Sequence, residues 1–262
     1  MDLGLKGKVV LVLASSKGLG KAIAAKFAQE GANVMLTSRS ETELKAVAED
    51  ITKKTGSNVT YFPCELTNSS DIKLLVNKTV DIFGRVDILI NNAGGPPAGK
   101  FNDFDDEHWQ KAFELNLFSY IRAIREVIPF MRSQGGGRIL NVASSSIKQP
   151  IEGLILSNTF RAGVIGLSKS LATELAPDKI LINTLGPGRI ATDRVAQLDQ
   201  VIADKQSISV EEVIERTKSV IPLGRYGTPE EFATTAVFLC SDANTYVTGQ
   251  ALLVDGGMVK AL

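Results

Sequence analysis

Histidine and cysteine are almost missing from this chain: its 262 residues hold one histidine, His108, and two cysteines, Cys64 and Cys240. The cysteines lie far apart, without a C-x-x-C spacing and with no histidines clustered beside them, which argues against a metal site and against a disulfide framework. A reduced, cytoplasmic setting is the expectation. Excess charge is missing too. Basic and acidic residues balance at 29 each, and no Lys/Arg run builds a local patch, so nucleic acid is not an expected partner. Long apolar runs are also absent. Lys8-Val-Val-Leu-Val-Leu-Ala14, among the strongest, is far shorter than the roughly 20 residues a membrane span needs. Met1 to Gly7 carries Asp2 and lacks the basic and then apolar order of a signal peptide. His108 follows the acidic stretch Asp103-Phe-Asp-Asp-Glu107 at an expected helix start, where a surface or packing role fits better than catalysis. Trp109 beside it reads as core or interface.

What is present is a core. Hydrophobic residues make up 44% and charged residues 22%, the mix of a folded globular protein rather than a disordered one. Continuous β-branched and Leu runs at Val9–Leu13, Asn33–Ser38, Val59–Pro63, Ile88–Ile90, Gly137–Val142, Ile180–Leu185 and Ala251–Val254 read as strands buried on both faces. Between them the period turns helical, near 19–30, 41–54, 70–83, 105–132, 153–176, 194–219 and 229–239. This alternation predicts an α/β fold: a doubly wound, Rossmann-type parallel sheet of about seven strands with helices on both faces, in one domain spanning 1–262. One excursion, 189–228, is too long for an ordinary connection and is expected to be a substrate lid.

The first strand runs directly into Ala14-Ser-Ser-Lys-Gly-Leu-Gly20, and a helix follows at Lys21. Small residues in that position let backbone N–H groups approach a pyrophosphate at the helix N-terminus, where the dipole favours negative charge. Ala14, Ser16, Lys17, Gly18, Leu19 and Gly20 are therefore candidate cofactor-binding residues. An acidic residue at the end of strand two would hold the ribose 2′-hydroxyl of NAD. Ser38 stands there instead, followed by Arg39, which leaves room for a 2′-phosphate and offers it a guanidinium. Lys17 adds a second cation on the same side, so the expected cofactor is NADP(H).

With Asn91-Asn-Ala-Gly94, Asn141-Val-Ala-Ser144, Pro187-Gly188 and Val254-Asp-Gly-Gly257 added to that turn, the chain resembles the short-chain dehydrogenase/reductase family, in its 3-oxoacyl-[acyl-carrier-protein] reductase-like branch. The likeness extends from Lys6 to Gly257. It implies that Asn92, Ala93 and Gly94 pass close to the adenine-side ribose, that Glu65 and Leu66 flank the adenine, and that Pro187, Gly188, Ile190 and Thr192 grip the carboxamide and diphosphate. Ala14 departs from the family's first glycine, and a slightly reshaped turn is expected there.

The resemblance further implies a Ser that polarises a carbonyl, a Tyr thirteen residues later that donates the proton, and a Lys four residues beyond it. Ser144 fills the first position. The other two hold Ser157 and Arg161, and none of the four tyrosines (Tyr61, Tyr120, Tyr226, Tyr246) lies between Ser144 and Arg161. An aliphatic hydroxyl is a far weaker acid than a phenol of pKa about 10, and Ser157 stops short of where a phenolic oxygen would reach, leaving room for a water. Arg161 is expected to bind the ribose hydroxyls without relaying a proton, since it stays protonated. Asn116, in Glu114-Leu-Asn-Leu117, matches the family's helix-kinking Asn that carries a relay water. Lys148 is the nearby titratable candidate to replace the missing acid.

Gly94-Gly-Pro-Pro-Ala98 is expected to wall the substrate pocket, with Val195, Leu198 and Ile202 on the lid. The family likeness implies a homotetramer or dimer. Three functions stay open at this point: reduction of a small carbonyl or acyl thioester, NADP(H) binding with little or no turnover, and an isomerase or lyase that needs no phenol.

Overall fold

The computed structural model describes residues 2–261. Seven parallel strands form one sheet in the order β3-β2-β1-β4-β5-β6-β7, with β1 at Val9–Val12, β2 at Asn33–Leu36, β3 at Val59–Tyr61, β4 at Ile88–Asn91, β5 at Gly137–Val142, β6 at Ile180–Pro187 and β7 at Ala251–Val254. The order reverses between β1 and β4, which opens a crevice at the carboxyl ends of those strands. Alternating side chains of one strand feed opposite cores. Val10 and Val12 pack with Ile23, Phe27 and Phe232, whereas Leu11 and Leu13 pack with Ile72, Leu75 and Tyr120. Both faces are dry, which is why the strands read as unbroken apolar runs.

Helices α1 (Gly18–Gln29), α2 (Glu41–Thr55) and α9 (Pro229–Cys240) cover one face. On the other lie α3 (Ser69–Phe83), α4 (Asp106–Phe113), α5 (Ser119–Ser133) and α6 (Ile155–Leu175). Two expected helices are divided. Between α4 and α5 the chain widens into a π-helical stretch, Glu114–Phe118. The excursion forms α7 (Asp193–Gln206) and α8 (Val210–Val220), not one helix. Ser207 turns left-handed there, at φ +53, and Ser209 caps α8 by accepting from the Glu212 N–H at 3.1 Å.

The excursion is tied at its base. The Ala191 N–H donates to the Gly227 carbonyl and the Gly227 N–H to the Arg189 carbonyl, both at 2.9 Å. Buried Asp199 accepts from Arg189 at 2.8 Å and from the Tyr226 hydroxyl at 2.9 Å. No helix among the described residues is long and apolar enough to cross a membrane.

Candidate functional site

At the crevice, β1 ends in a turn built largely from backbone. Ser15 is wholly buried and stitches this turn to β2: its Oγ donates to the Val12 carbonyl at 2.9 Å and accepts from the Thr37 N–H at 2.9 Å. Ala14 adopts φ +47, a left-handed step that costs about 1 kcal/mol for its Cβ. Gly20 explains why the turn stays tight. A Cβ there would meet the Ala14 carbonyl oxygen and would come within 2.8 Å of the Asn92 amide. Asn92 Nδ2 donates to the carbonyls of Ala14 and Leu13 at 3.1 and 3.3 Å, so its side chain props the turn.

Gly18, at φ +56, starts α1 with open space where a Cβ would stand, and no acidic side chain occupies the first turn. A cavity of about 560 Å³ runs from Gly18 along α1, between α2 and α9, lined by Lys21, Asp50, Lys54, Thr192 and Glu230. Ser16 and Leu19 lie half-buried in the same turn. Lys17 and Arg39 are exposed, and neither forms an ion pair among the described residues. Ser38 Oγ is buried without a hydrogen-bond partner, an oxygen of the kind a bound group satisfies. Open backbone donors, two uncommitted cations and an orphan hydroxyl fit a phosphorylated dinucleotide.

On the flanks, several expected contacts are already committed within the chain. Glu65 curls back, its Oε1 accepting from the N–H and hydroxyl of Thr67 at 3.1 and 3.0 Å. Leu66 and Ala93 are buried. Cys64 beside them is pushed up to about 12 by burial and by the charges of Asp71 and Glu65. Pro187 ends β6, the Gly188 N–H donates to the Val254 carbonyl, and Ile190 is buried in the core. Thr192 caps α7, accepting from the Val195 N–H at 3.4 Å.

The reaction-centre positions are arranged differently. Ser144 leaves β5 and starts a short turn, its Oγ accepting from the Ser146 N–H at 3.1 Å. That leaves the hydroxyl proton free to donate. Gly186 leaves space for this segment: a Cβ there would come within 2.7 Å of the Ser144 carbonyl oxygen. Ser157 is buried on α6, one turn before Arg161. Asn116, wholly buried in the π-helical stretch, donates from Nδ2 to the Gly94 carbonyl at 2.7 Å and leaves Oδ1 unpartnered.

Arg161 is turned inward, onto the ends of the strands. Its Nη1 donates to the Tyr120 hydroxyl at 2.8 Å and to the Val142 carbonyl at 2.9 Å, and its Nη2 to the Ala93 carbonyl at 3.4 Å. Only 4% of the residue is exposed. A guanidinium with this little water must find acceptors, and those nearest are the carbonyls ending β5 and following β4, with the Tyr120 oxygen between. Tyr120 is fully buried and itself donates to Val142 at 2.8 Å. Its phenol is pushed up by burial, against the pull of Arg161.

Lys148 is exposed, outside these contacts. His108 is exposed and paired at 2.6 Å with Asp105, the residue that caps α4. Trp109 packs against Phe101 and Phe160. No group of three or more potential metal ligands exists among the described residues.

Sequence reasoning missed Ser15, Thr37, Tyr120, Arg194 and a buried polar chain. In that chain Asn91 donates to Asn141 at 2.7 Å, and Asn141 to Ser168 at 2.8 Å; Ser168 lies 2.8 Å from Thr184. Asn91 and Asn141 stand at matching strand ends, and two polar residues closing apolar runs were the available signal.

Residues 13–259 match the family described as enoyl-(acyl carrier protein) reductase. The chain is 36% identical over 258 residues to the 3-oxoacyl-[acyl-carrier-protein] reductase of Aquifex aeolicus, covering 98% of this chain and 100% of that protein. It is 33% identical to an NADPH-dependent reductase of Bacillus subtilis, over 97% of this chain and 99% of the relative. The crystal structure of L-sorbose reductase from Gluconobacter frateurii, complexed with NADPH and L-sorbose, superposes with a TM-score of 0.95 at 35% identity, with both chains fully covered. A doubly wound sheet that agrees so closely, over full-length relatives of this identity, places the chain in the short-chain dehydrogenase/reductase family.

Proposed function

We propose that this protein is an NADP(H)-dependent oxidoreductase acting on a carbonyl/alcohol pair, a ketone or an acyl thioester, at a reaction centre in which Ser157 and Arg161 stand in place of a phenol and a lysine. The observation that carries the cofactor assignment is the turn after β1, with Lys17 and Arg39 uncommitted around it and the Ser38 hydroxyl orphaned beside it. The relatives described as NADPH-dependent or NADPH-bound support the same choice. Bound NADPH supplies the hydride. The chain's own task is to orient the carbonyl, for which Ser144 has a free donor, and to admit a proton, which falls to a water beside Ser157. Segment 189–228 acts as the lid, and the protein self-associates as a homotetramer or dimer.

A second reading, NADP(H) binding with little or no turnover, is favoured by Arg161, whose guanidinium is engaged by Tyr120, Val142 and Ala93. NADPH fluorescence titration followed by a panel of ketones and 3-oxoacyl thioesters separates the two. Tight binding with NADPH consumption supports the oxidoreductase; tight binding with no consumption across the panel leaves the second reading standing. Gain of turnover in the Ser157→Tyr, Arg161→Lys double variant would locate the loss at these two positions. Equal turnover of Ser144→Ala and the native protein would remove Ser144 from the reaction.

A further inference from the structure

Arg194 stands on the first turn of α7, half-buried. Its Nη2 donates to the carbonyl of Pro96 at 2.7 Å, the one hydrogen bond its side chain makes among the described residues. Its Nε and Nη2 come within 3.4 Å of where a Cβ on Gly95 would stand, so the guanidinium lies against the Gly95–Pro96 backbone. α7 follows β6 and the Gly95–Pro96 loop follows β4, while Ser144 follows β5, the strand between them. The link from Arg194 to Pro96 therefore spans the strand end from which Ser144 emerges.

No carboxylate among the described residues forms an ion pair with this guanidinium. Burial alone acts on its pKa, pulling it down. Asp199 is held by Arg189 and Tyr226. Asp193 lines the cavity beside α1. An arginine keeps its charge even when partly desolvated, and it offers five N–H donors in a planar fork, of which Pro96 uses one. Unpaired surface arginines are common and mean little. Arg194 differs because burial has removed part of its water and the Pro96 contact fixes it against the loop after β4, on the strand-end side from which Ser144 emerges.

We propose that Arg194 receives an anionic group of the substrate, a carboxylate or a phosphate, so that the carbonyl compounds taken by this protein are oxo acids or oxo phosphate esters. The proposal rests on the reading of Ser144 as the carbonyl site. It is tested on the full chain saturated with NADP+, which cannot reduce a carbonyl, by calorimetric titration with two matched pairs of probes. Acetoacetate against methyl acetoacetate tests the carboxylate, and dihydroxyacetone phosphate against dihydroxyacetone tests the phosphate.

In at least one pair the anionic probe binds about tenfold more tightly, the scale of one charge-assisted contact. Arg194→Gln abolishes that preference with the neutral probe unchanged, and Arg194→Lys retains part of it. Equal affinities within both pairs, no heat from either anionic probe, a preference that survives Arg194→Gln, or an equal loss for neutral and anionic probes would each overturn the assignment. Failure to bind NADP+ would instead sink the cofactor reading and this proposal with it. Intact NADP+ binding without charge preference removes Arg194 alone.

Discussion

The two halves of the crevice solve the same problem with opposite materials. On the β1–β2 side the backbone forms the site, and charged side chains are left uncommitted: Lys17 and Arg39 are exposed and form no ion pair among the described residues. On the β4–β6 side the chain spends several of its polar side chains on itself, while Ser144 and Arg194 keep donors free. Arg161 is consumed by Tyr120, Val142 and Ala93, Asn116 by Gly94, and Asn141 by Ser168. The first side meets a ligand chiefly with uncommitted groups, the second with a few free donors set in a hydrogen-bonded frame. The contrast teaches that one crevice can combine uncommitted cations at one end with a cation bonded to its own chain at the other.

The strongest challenge to this contrast is Arg161→Ala. It leaves the Ala93 carbonyl unpaired and a void beside Tyr120, so urea unfolding should show a loss of about 3 kcal/mol, while the NADPH Kd moves by less than about threefold. A collapse of NADPH affinity with stability intact would break the comparison, because Arg161 would then belong to the ligand. Gly20→Val probes the opposite half. Its Cβ would collide with the Ala14 carbonyl, and NADPH affinity should fall by at least about a hundredfold, some 2.7 kcal/mol. Arg39→Ala should weaken NADPH about tenfold and leave NADH unchanged in parallel fluorescence titrations; equal losses for both would remove Arg39 from the 2′-phosphate. Smallest is Ala14→Gly. Relief of the left-handed strain, offset in part by the flexibility glycine adds to the unfolded chain, should raise stability by up to about 1 kcal/mol without altering NADPH binding.

Legibility in the sequence follows the same division. The strands, the turn after β1 and the 2′-phosphate side rest on periodicity and on neighbours within a few residues, and these could be read directly. Tyr120 and Arg161 meet across 41 positions, on separate helices, and neither segment marks which face carries its polar end. The bonds from Arg161 to Tyr120 and Val142 are therefore not legible in the sequence. The division of the 189–228 excursion was readable and passed over. Ser209 followed three residues later by Glu212 is a helix-start signature, lost inside an otherwise continuous helical stretch. Ala14 carried a different difficulty: propensity speaks against a left-handed alanine, and the packing of Gly20 and Asn92 overrode it.

The π-helical stretch at Glu114–Phe118 has a bearing on how this chain can change length. Such winding holds one more residue than an α-helical turn would. Removing a single residue there would leave a helix of ordinary pitch and good hydrogen bonding, yet everything on its N-terminal side would rotate by about 100° relative to α5. Trp109 would swing away from Phe160, and Asn116 could no longer face Gly94. The shorter helix is locally the better one and globally the wrong one. A one-residue deletion at this point should therefore be tolerated far less than a deletion of the same size in the Ser207–Ser209 break between α7 and α8.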